Sequence, residues 1–533
     1  MGWTPTLVDH RQTGYFSKII LDYLDRNELL TPFYAHPVSE EGIRASIAAR
    51  KQFPVNREVL VDVLREQYNN ATPAPLVSQH IEALLKENTY TIVTAHQPAL
   101  FTGPLYFIYK ILHTIRLAKQ LSEKYPDKQF VPVFYMGSED ADLDELGHFH
   151  LGGEKIVWDT KQTGAVGRMK IKGLDKILHR IEGELSVLPF GKELVQLVKS
   201  AYLESPTIQE ATFRFLHSLF ASYGLVILIP DHAALKRLMI PVFEDDLFRQ
   251  IPTDVVNGTI ERLSQHYKVQ ANPRPINLFY LKDALRGRIE KTGGQYKVHE
   301  SDLVFDEEEI RKELHAHPDR FSPNVILRGL FQETILPNIV FIGGGGETAY
   351  WLELKDLFTH YGRPFPLLIL RNSFLLSDSS WKEKRDRLGI SPAQLFLPEE
   401  ELLKQLVRKE SSLQLDLVKE LAEGQRYYDR IRTVAGSIDP TLAQHVTALE
   451  VKALDPLKEL EKKLLKAEKR KFGDQQRQIH LLKAALFPSG SLQERIDNFM
   501  PWYAARGQEF IEDIYAYSLT LEQQFVVLEE EGL

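Results

Sequence analysis

Apolar and polar residues follow three successive textures along the chain. Over residues 1–88 the apolar positions recur at helical spacing, in 19–24, 40–51 and 79–87, and predict a mainly helical region packed on the core. From residue 89 short, almost continuously apolar runs appear at 90–95, 130–136, 225–230, 338–343 and 366–370. Each ends in polar or small residues and is followed by a helical pattern. Strands that are apolar throughout are buried on both faces, so 89–384 is predicted as an α/β core built on a parallel sheet. The segments 150–220 and 250–330 interrupt this alternation and are expected as insertions. From about 385 to 533 the chain turns Glu/Lys/Leu-rich. Leu442, Val446, Leu449, Ala453, Leu457, Leu460, Leu464 and Ala467 form the seam of a coiled coil, and the last helices are expected to return to the core. Pro456 lies inside that seam and should kink its helix without ending it.

Composition narrows the function classes. With 533 residues, 43% hydrophobic and 26% charged, the chain is of ordinary globular type, long enough for two to four domains. Its 65 basic and 73 acidic residues give a net charge of −8, the wrong sign for a sequence-independent nucleic-acid binder. Cysteine is absent, which excludes disulfides, thiolate zinc sites, iron–sulfur clusters and a cysteine nucleophile. The first 25 residues hold no apolar signal segment, and no apolar run approaches a spanning length, so a cytoplasmic protein without a membrane partner is expected. Met1 to Thr6 fits a myristoylation pattern, but a single acyl chain anchors only marginally. The basic run Lys462 to Lys471 reads most simply as a solvated helix face.

In open parallel sheets, ligands bind outside the carboxyl ends of the strands. Here those ends carry His96 and Gln97, then Ser138, Glu139 and Asp140, then Asp231 and His232, then Gly344 to Glu347, and finally Arg371 and Asn372. His96 is suited to stabilising charge or transferring a proton, and Gly103 lets the loop before Pro104 bring backbone amides close to a ligand. The plainer reading is a His held in a tight turn. Glu139, Asp140, Asp142, Asp144 and Glu145 place five carboxylates within seven residues, which requires Mg²⁺, an ammonium group, an Arg or a helix N-terminus to offset them. Glu139 and Asp140, nearest the strand end, are the catalytic candidates with His96. The later acids read as an acidic first helical turn. Gly343 to Glu347 match neither a P-loop nor a dinucleotide fingerprint. Gly345 allows close approach, and Glu347 with Tyr350 suits an ammonium or hydroxyl group better than a phosphate. A flexible turn with a capping Glu is the alternative.

These three motifs, with Gly164 to Met169, Ser322 to Arg328 and Leu486 to Arg495, resemble the bacillithiol biosynthesis cysteine-adding enzyme family, BshC, over nearly the whole chain. The resemblance implies a Rossmann-like, nucleotidylyltransferase-like core with inserted connecting segments, and a C-terminal coiled coil that forms a homodimer. It also implies a ligase that adds cysteine to glucosaminyl-malate in the last step of bacillithiol synthesis. This chain has Ala141 where members often have His, and Gly344-Gly345-Gly346-Glu347 where members often have Gly-Pro-Gly-Glu.

A carboxylate is a poor electrophile, so ATP activation is expected, with Mg²⁺ a possible companion. A complete His-x-Gly-His motif and a Lys-Met-Ser-Lys-Ser loop are both absent. Glu347 or Asp140 is expected to hold the amine or sugar hydroxyls, with Gln97, Gly103, Gly345, Tyr350 and Asn372 lining the site. Arg371 is expected to hold a malate carboxylate, and Gly490 and Arg495 to contact the nucleotide. Two other classes fit the same residues: a nucleotidylyltransferase-like enzyme with another acceptor, and a non-catalytic coiled-coil scaffold on an enzyme-like core.

Overall fold

The structure is a computed structural model that describes residues 2–532 apart from Pro73. Its centre is a five-stranded sheet of β2 (Thr89–His96), β3 (Gln129–Met136), β4 (Val226–Leu228), β5 (Asn338–Gly343) and β6 (Leu367–Leu370), with β1 reserved for Trp3–Val8. The spatial order is β6-β5-β2-β3-β4 and every neighbouring pair is parallel. Side chains alternate between faces. Phe134 and Met136 of β3 join Phe107, Ile108 and Ile111 of helix α1 (Tyr106–Lys124) on one side. Val131, Val133 and Tyr135 join Leu330 and Trp351 on the other. Burial on both faces is why these strands read as apolar runs.

The segment before β2 is not purely helical. β1 pairs antiparallel with β8 (Phe525–Glu530), and β8 pairs in parallel with β7 (Ser373–Ser377), which comes directly after β6. The C-terminal region therefore returns to the core through a strand as well as helices. β1 is hard to read because Thr4, Pro5 and Leu7 are exposed and its partner lies more than 500 positions away.

The first interruption holds the hairpin His148–Leu151 and Glu154–Val157 with three helices, Asp175–Leu185, Gly191–Leu203 and Ile208–Phe220. The second holds an antiparallel five-stranded sheet that includes Leu278–Lys282, Leu285–Thr292 and Phe321–Pro323. Helix α2 (Val325–Ile335) leads from it into β5, and α3 (Gly345–Leu352) leaves β5.

Helices α4 (Val418–Ile438) and α5 (Pro440–Lys469) form an antiparallel hairpin, with Gly424 against Leu454, Arg432 paired to Glu450 and Gly436 against Ala443. α5 runs through Pro456 without ending. Within the chain little of the seam is covered: of its residues only Val446 is buried, whereas Leu442, Leu449, Ala453 and Leu460 are exposed, and Leu454, outside the seam, is buried against Gly424 instead. No helix among the described residues is long and apolar enough to cross a membrane.

Candidate active site

A cleft of about 470 Å³ opens at the carboxyl ends of the central strands. His96, Gln97, Glu139, Asp140, Gly345, Glu347, Tyr350, Arg371 and Arg495 all line it. Gly103, Asn372 and Gly490 do not. Gly103, at φ 59°, offers its carbonyl to Asn498, and Gly490, at φ 72°, offers its own to Tyr15. Asn372 is buried, and its backbone N–H donates to His113. The structure does not bring these three positions into the cleft with the others.

His96 ends β2. Its Nδ1 lies 2.9 Å from the Gln97 carbonyl, which only accepts, so the neutral ring carries its hydrogen there. Nε2 then accepts from the Tyr106 hydroxyl at 3.1 Å. Burial, reinforced by Lys110, pushes the imidazole down to about 4. Burial thus favours the neutral ring in this arrangement, so His96 carries no positive charge of its own into the cleft.

Glu347 sits in the first turn of α3. Its carboxylate accepts from the Gly344 N–H at 2.8 Å and pairs with Lys110 of α1 at 2.6 Å. Burial pushes its pKa upward, but Lys110, Arg328 and the Gly344 amide outweigh that and hold it below the ordinary range. The ammonium expected opposite Glu347 is thus supplied by the chain itself. A Cβ at Gly346 would meet nothing within 4 Å, and one at Gly345 only Ile20 at 3.5 Å. Packing does not demand glycine there, and the bare backbone leaves room for a ligand.

The acidic motif divides as its spacing suggests. Asp142 caps the short helix Leu143–Leu146. Asp140 accepts from the Ala141 N–H and from Gln97 at 3.0 Å, and Arg286 lies 3.7 Å away. Glu139 pairs through Oε1 with buried Lys236, which also lies 3.2 Å from Asp231. Arg168 grips Asp231 with two hydrogen bonds of 2.7 Å. The charge offset thus comes from Lys and Arg. Among the described residues no group of three or more His, Asp or Glu is placed to hold a metal ion.

Arg371 reaches the cleft wall already paired. It donates to Glu494 at 2.8 Å, both side chains are almost fully buried, and it stacks 4.8 Å from the Tyr106 ring. Its charge is already neutralised, so it is poorly placed to take a malate carboxylate. The cations left for an anion are others. Arg328 donates to the Tyr350 hydroxyl and has no carboxylate within ion-pair distance among the described residues, and Arg495 has none either. Arg286 Nε and Ser322 Oγ are buried along the cleft wall without a hydrogen-bond partner among those residues.

Sequence reasoning missed Tyr106, Lys110, Lys236, Arg286 and Glu494 as site residues. Lys110 left one usable signal, a lone charge within the apolar run Phe107 to Leu112. Arg168, Ser322, Arg328 and Glu494 stand inside the motifs that carry the family resemblance, but nothing in their spacing assigns them roles.

The N-terminal Rossmann-like domain of bacillithiol biosynthesis BshC matches residues 6–372, and the BshC C-terminal coiled-coil domain matches residues 374–530. The chain belongs to the BshC family. Relatives named "Putative cysteine ligase BshC" include that of Flavobacterium johnsoniae, 41% identical over 98% of this chain and 99% of its own length. Those of Christiangramia forsetii and Cytophaga hutchinsonii are 40% and 39% identical over 98% and 94% of both chains. The family places this chain among ligases and shows its α/β, Rossmann-like fold with a coiled coil. The two BshC domain matches meet at residue 373, so Arg495 lines the cleft from the C-terminal domain and Glu494, buried behind it, holds Arg371.

Proposed function

We propose that this ligase joins the carboxyl group of cysteine to the glucosamine nitrogen of glucosaminyl-malate, with ATP activating the carboxylate, as the last step of bacillithiol synthesis in the cytoplasm. The observation that carries this reading is the charge of the cleft wall: among the described residues Arg328 and Arg495 have no carboxylate within ion-pair distance, although Glu347 acts on Arg328 from further off, and Arg286 Nε and Ser322 Oγ are unpaired donors. Cysteine, the malyl group and ATP all bring anionic oxygens that such donors suit.

Arg286, Ser322 and Arg328 would hold the malyl carboxylates. Arg495, at the rim, would meet phosphate oxygens. The open backbone of Gly345 and Gly346 would lie against a substrate. When bound, ATP supplies the leaving group that turns the carboxylate into an acylating agent. These residues orient the pieces and exclude water around them. Mg²⁺ would enter with the nucleotide, since the protein offers no grouped ligands among the described residues.

We also propose that the protein is a homodimer through α4 and α5, because Leu442, Leu449 and Leu460 leave an exposed apolar stripe on one face of α5. Light scattering at micromolar concentration tests this, and a monomeric mass counts against it.

Incubating purified protein with cysteine, glucosaminyl-malate and ATP, and following product by mass spectrometry, tests the activity. A product heavier by one cysteinyl residue, dependent on ATP, is expected. Nucleotide consumption with other acceptors only would favour a nucleotidylyltransferase-like enzyme. No turnover of any kind would favour a scaffold.

A further inference from the structure

Amide formation needs a group that frees the attacking nitrogen, because an ammonium ion has no lone pair. We propose that Glu139 is this proton acceptor: its Oε2 takes a proton from the acceptor's ammonium group before the nitrogen attacks. This assignment rests on the ligase reading given above. In the step itself a C–N bond forms at the activated acyl carbon and the C–O bond to the activating phosphoryl group breaks. The electron pair leaves on that oxygen. One nitrogen proton goes to Glu139 before attack and a second goes to water as the amide forms, and Glu139 returns its proton to solvent between turnovers.

The geometry selects Glu139 among the acids of the cleft. Its Oε1 is fixed by Lys236, whereas its Oε2 has no hydrogen-bond partner among the described residues, and the side chain is 11% exposed along the cleft. Asp140 has both oxygens engaged and Glu145 is exposed at the surface; Glu347 also keeps one oxygen free, Oε1, but its Oε2 takes both the Gly344 N–H and Lys110, and with Arg328 beside it the carboxylate is held as a weaker base than Glu139. His96 has its Nε2 occupied by Tyr106. Lys236 is itself anchored by Asp231 and by the Asp319 carbonyl at 3.0 Å, so the free oxygen is held in a defined place.

The charged and titratable neighbours of Glu139 are Lys236, Asp231, Arg168, Arg286, Asp140 and Tyr135. They sort the two buried acids. Burial pushes Glu139 up to about 7, Lys236 pulls against it and Asp231 adds to it. Asp231, although as deeply buried, is held below the usual carboxylate range by Lys236 and by its two bonds from Arg168. One acid is thereby kept as a permanent anion while its neighbour titrates near neutrality, where a general base works best.

The test separates acyl activation from acyl transfer in Glu139→Gln. Transfer to glucosaminyl-malate should fall about 10²- to 10⁴-fold. Cysteine-dependent, acceptor-independent exchange of label into ATP should stay within about 3-fold of wild type, as expected for a group acting only at the later step. Hydroxylamine, largely uncharged at neutral pH, needs no deprotonation, so the variant should form cysteinyl hydroxamate at nearly the wild-type rate. Equal losses with hydroxylamine and with the natural acceptor would overturn the assignment, as would full transfer activity. If Glu139→Gln does not fold, Glu139→Asp, which retracts the carboxylate, should show the same split. Wild-type protein that makes hydroxamate but no product with glucosaminyl-malate would sink the acceptor reading instead, and that outcome is visible without any variant.

Discussion

Two glutamate–lysine pairs flank the cleft, each with a buried lysine, and they behave in opposite ways. Glu347 pairs with Lys110, Glu139 with Lys236, and in each case the lysine is almost fully enclosed. Glu347 is held below the ordinary range, whereas Glu139 is raised to about 7. The difference lies in the surroundings. Glu347 also receives a backbone N–H at a helix start and the field of Arg328. Glu139 receives no backbone donor among the described residues and shares its lysine with Asp231. A salt bridge therefore does not fix the state of a carboxylate. What else the cation must serve, and how many other donors the carboxylate has, decides it.

The largest expected effect comes from removing the lysines. Lys110→Met leaves Glu347 buried without its counter-ion and should cost about 3–5 kcal/mol in urea unfolding. Glu347→Gln in that background should recover part of the loss, because the amide oxygen still caps Gly344. Lys236→Met should cost less, since Glu139 can take up a proton and Asp231 keeps Arg168. Equal costs at the two pairs would break the comparison.

The pH dependence should sharpen it. A carboxylate with a lowered native pKa gives stability that is present above its unfolded value and lost as pH falls through the native one; Glu347 is of this kind. Glu139 is raised from 4.5 to about 7, so its contribution is greatest at low pH and is lost as pH rises through that window. Unfolding curves at pH 5 and pH 8 should show Glu139→Gln flattening the loss on the neutral side, and curves taken from pH 5 down to pH 3 should show Glu347→Gln changing the acid side. A Glu139→Gln protein with the wild-type slope from pH 5 to 8 would contradict this.

Smaller effects separate cleft from packing. Arg495→Ala should lower kcat/KM about 10-fold, mainly through KM for the nucleotide, by removing a charged hydrogen-bond donor. Gly490→Ala should leave KM unchanged while costing about 1–2 kcal/mol, since an L-residue at φ 72° is strained. Tyr106→Phe should cost about 1 kcal/mol by removing the O–H that His96 Nε2 accepts, read by thermal unfolding.

The same physics decides which features the sequence alone reveals. The central strands are legible because burial on both faces leaves them no polar positions, and parallel topology then gathers His96, Glu139, Asp140 and Glu347 at one edge. β1 is not, because an exposed Thr4-Pro5 sequence carries no such pattern. Lys236 is not, because a lysine in a short helix reads as a solvated residue until its burial is known. Arg371 is legible as a cleft residue, but its neutralisation by Glu494, 123 positions later, leaves no local trace.

The pairing of β1 with β8 sets an order on synthesis. More than 500 residues separate Trp3–Val8 from its partner Phe525–Glu530, so at about 5–20 residues per second β1 waits roughly half a minute or more for β8. Throughout elongation the amino-terminal strand has no partner, and Glu494 and Arg495 have not yet reached the cleft. A nascent chain stopped short of residue 525 would carry most of the central sheet yet present an open strand edge, a template for aggregation. Synthesis of β8 closes that edge, and it joins β1 to β7 across a single strand.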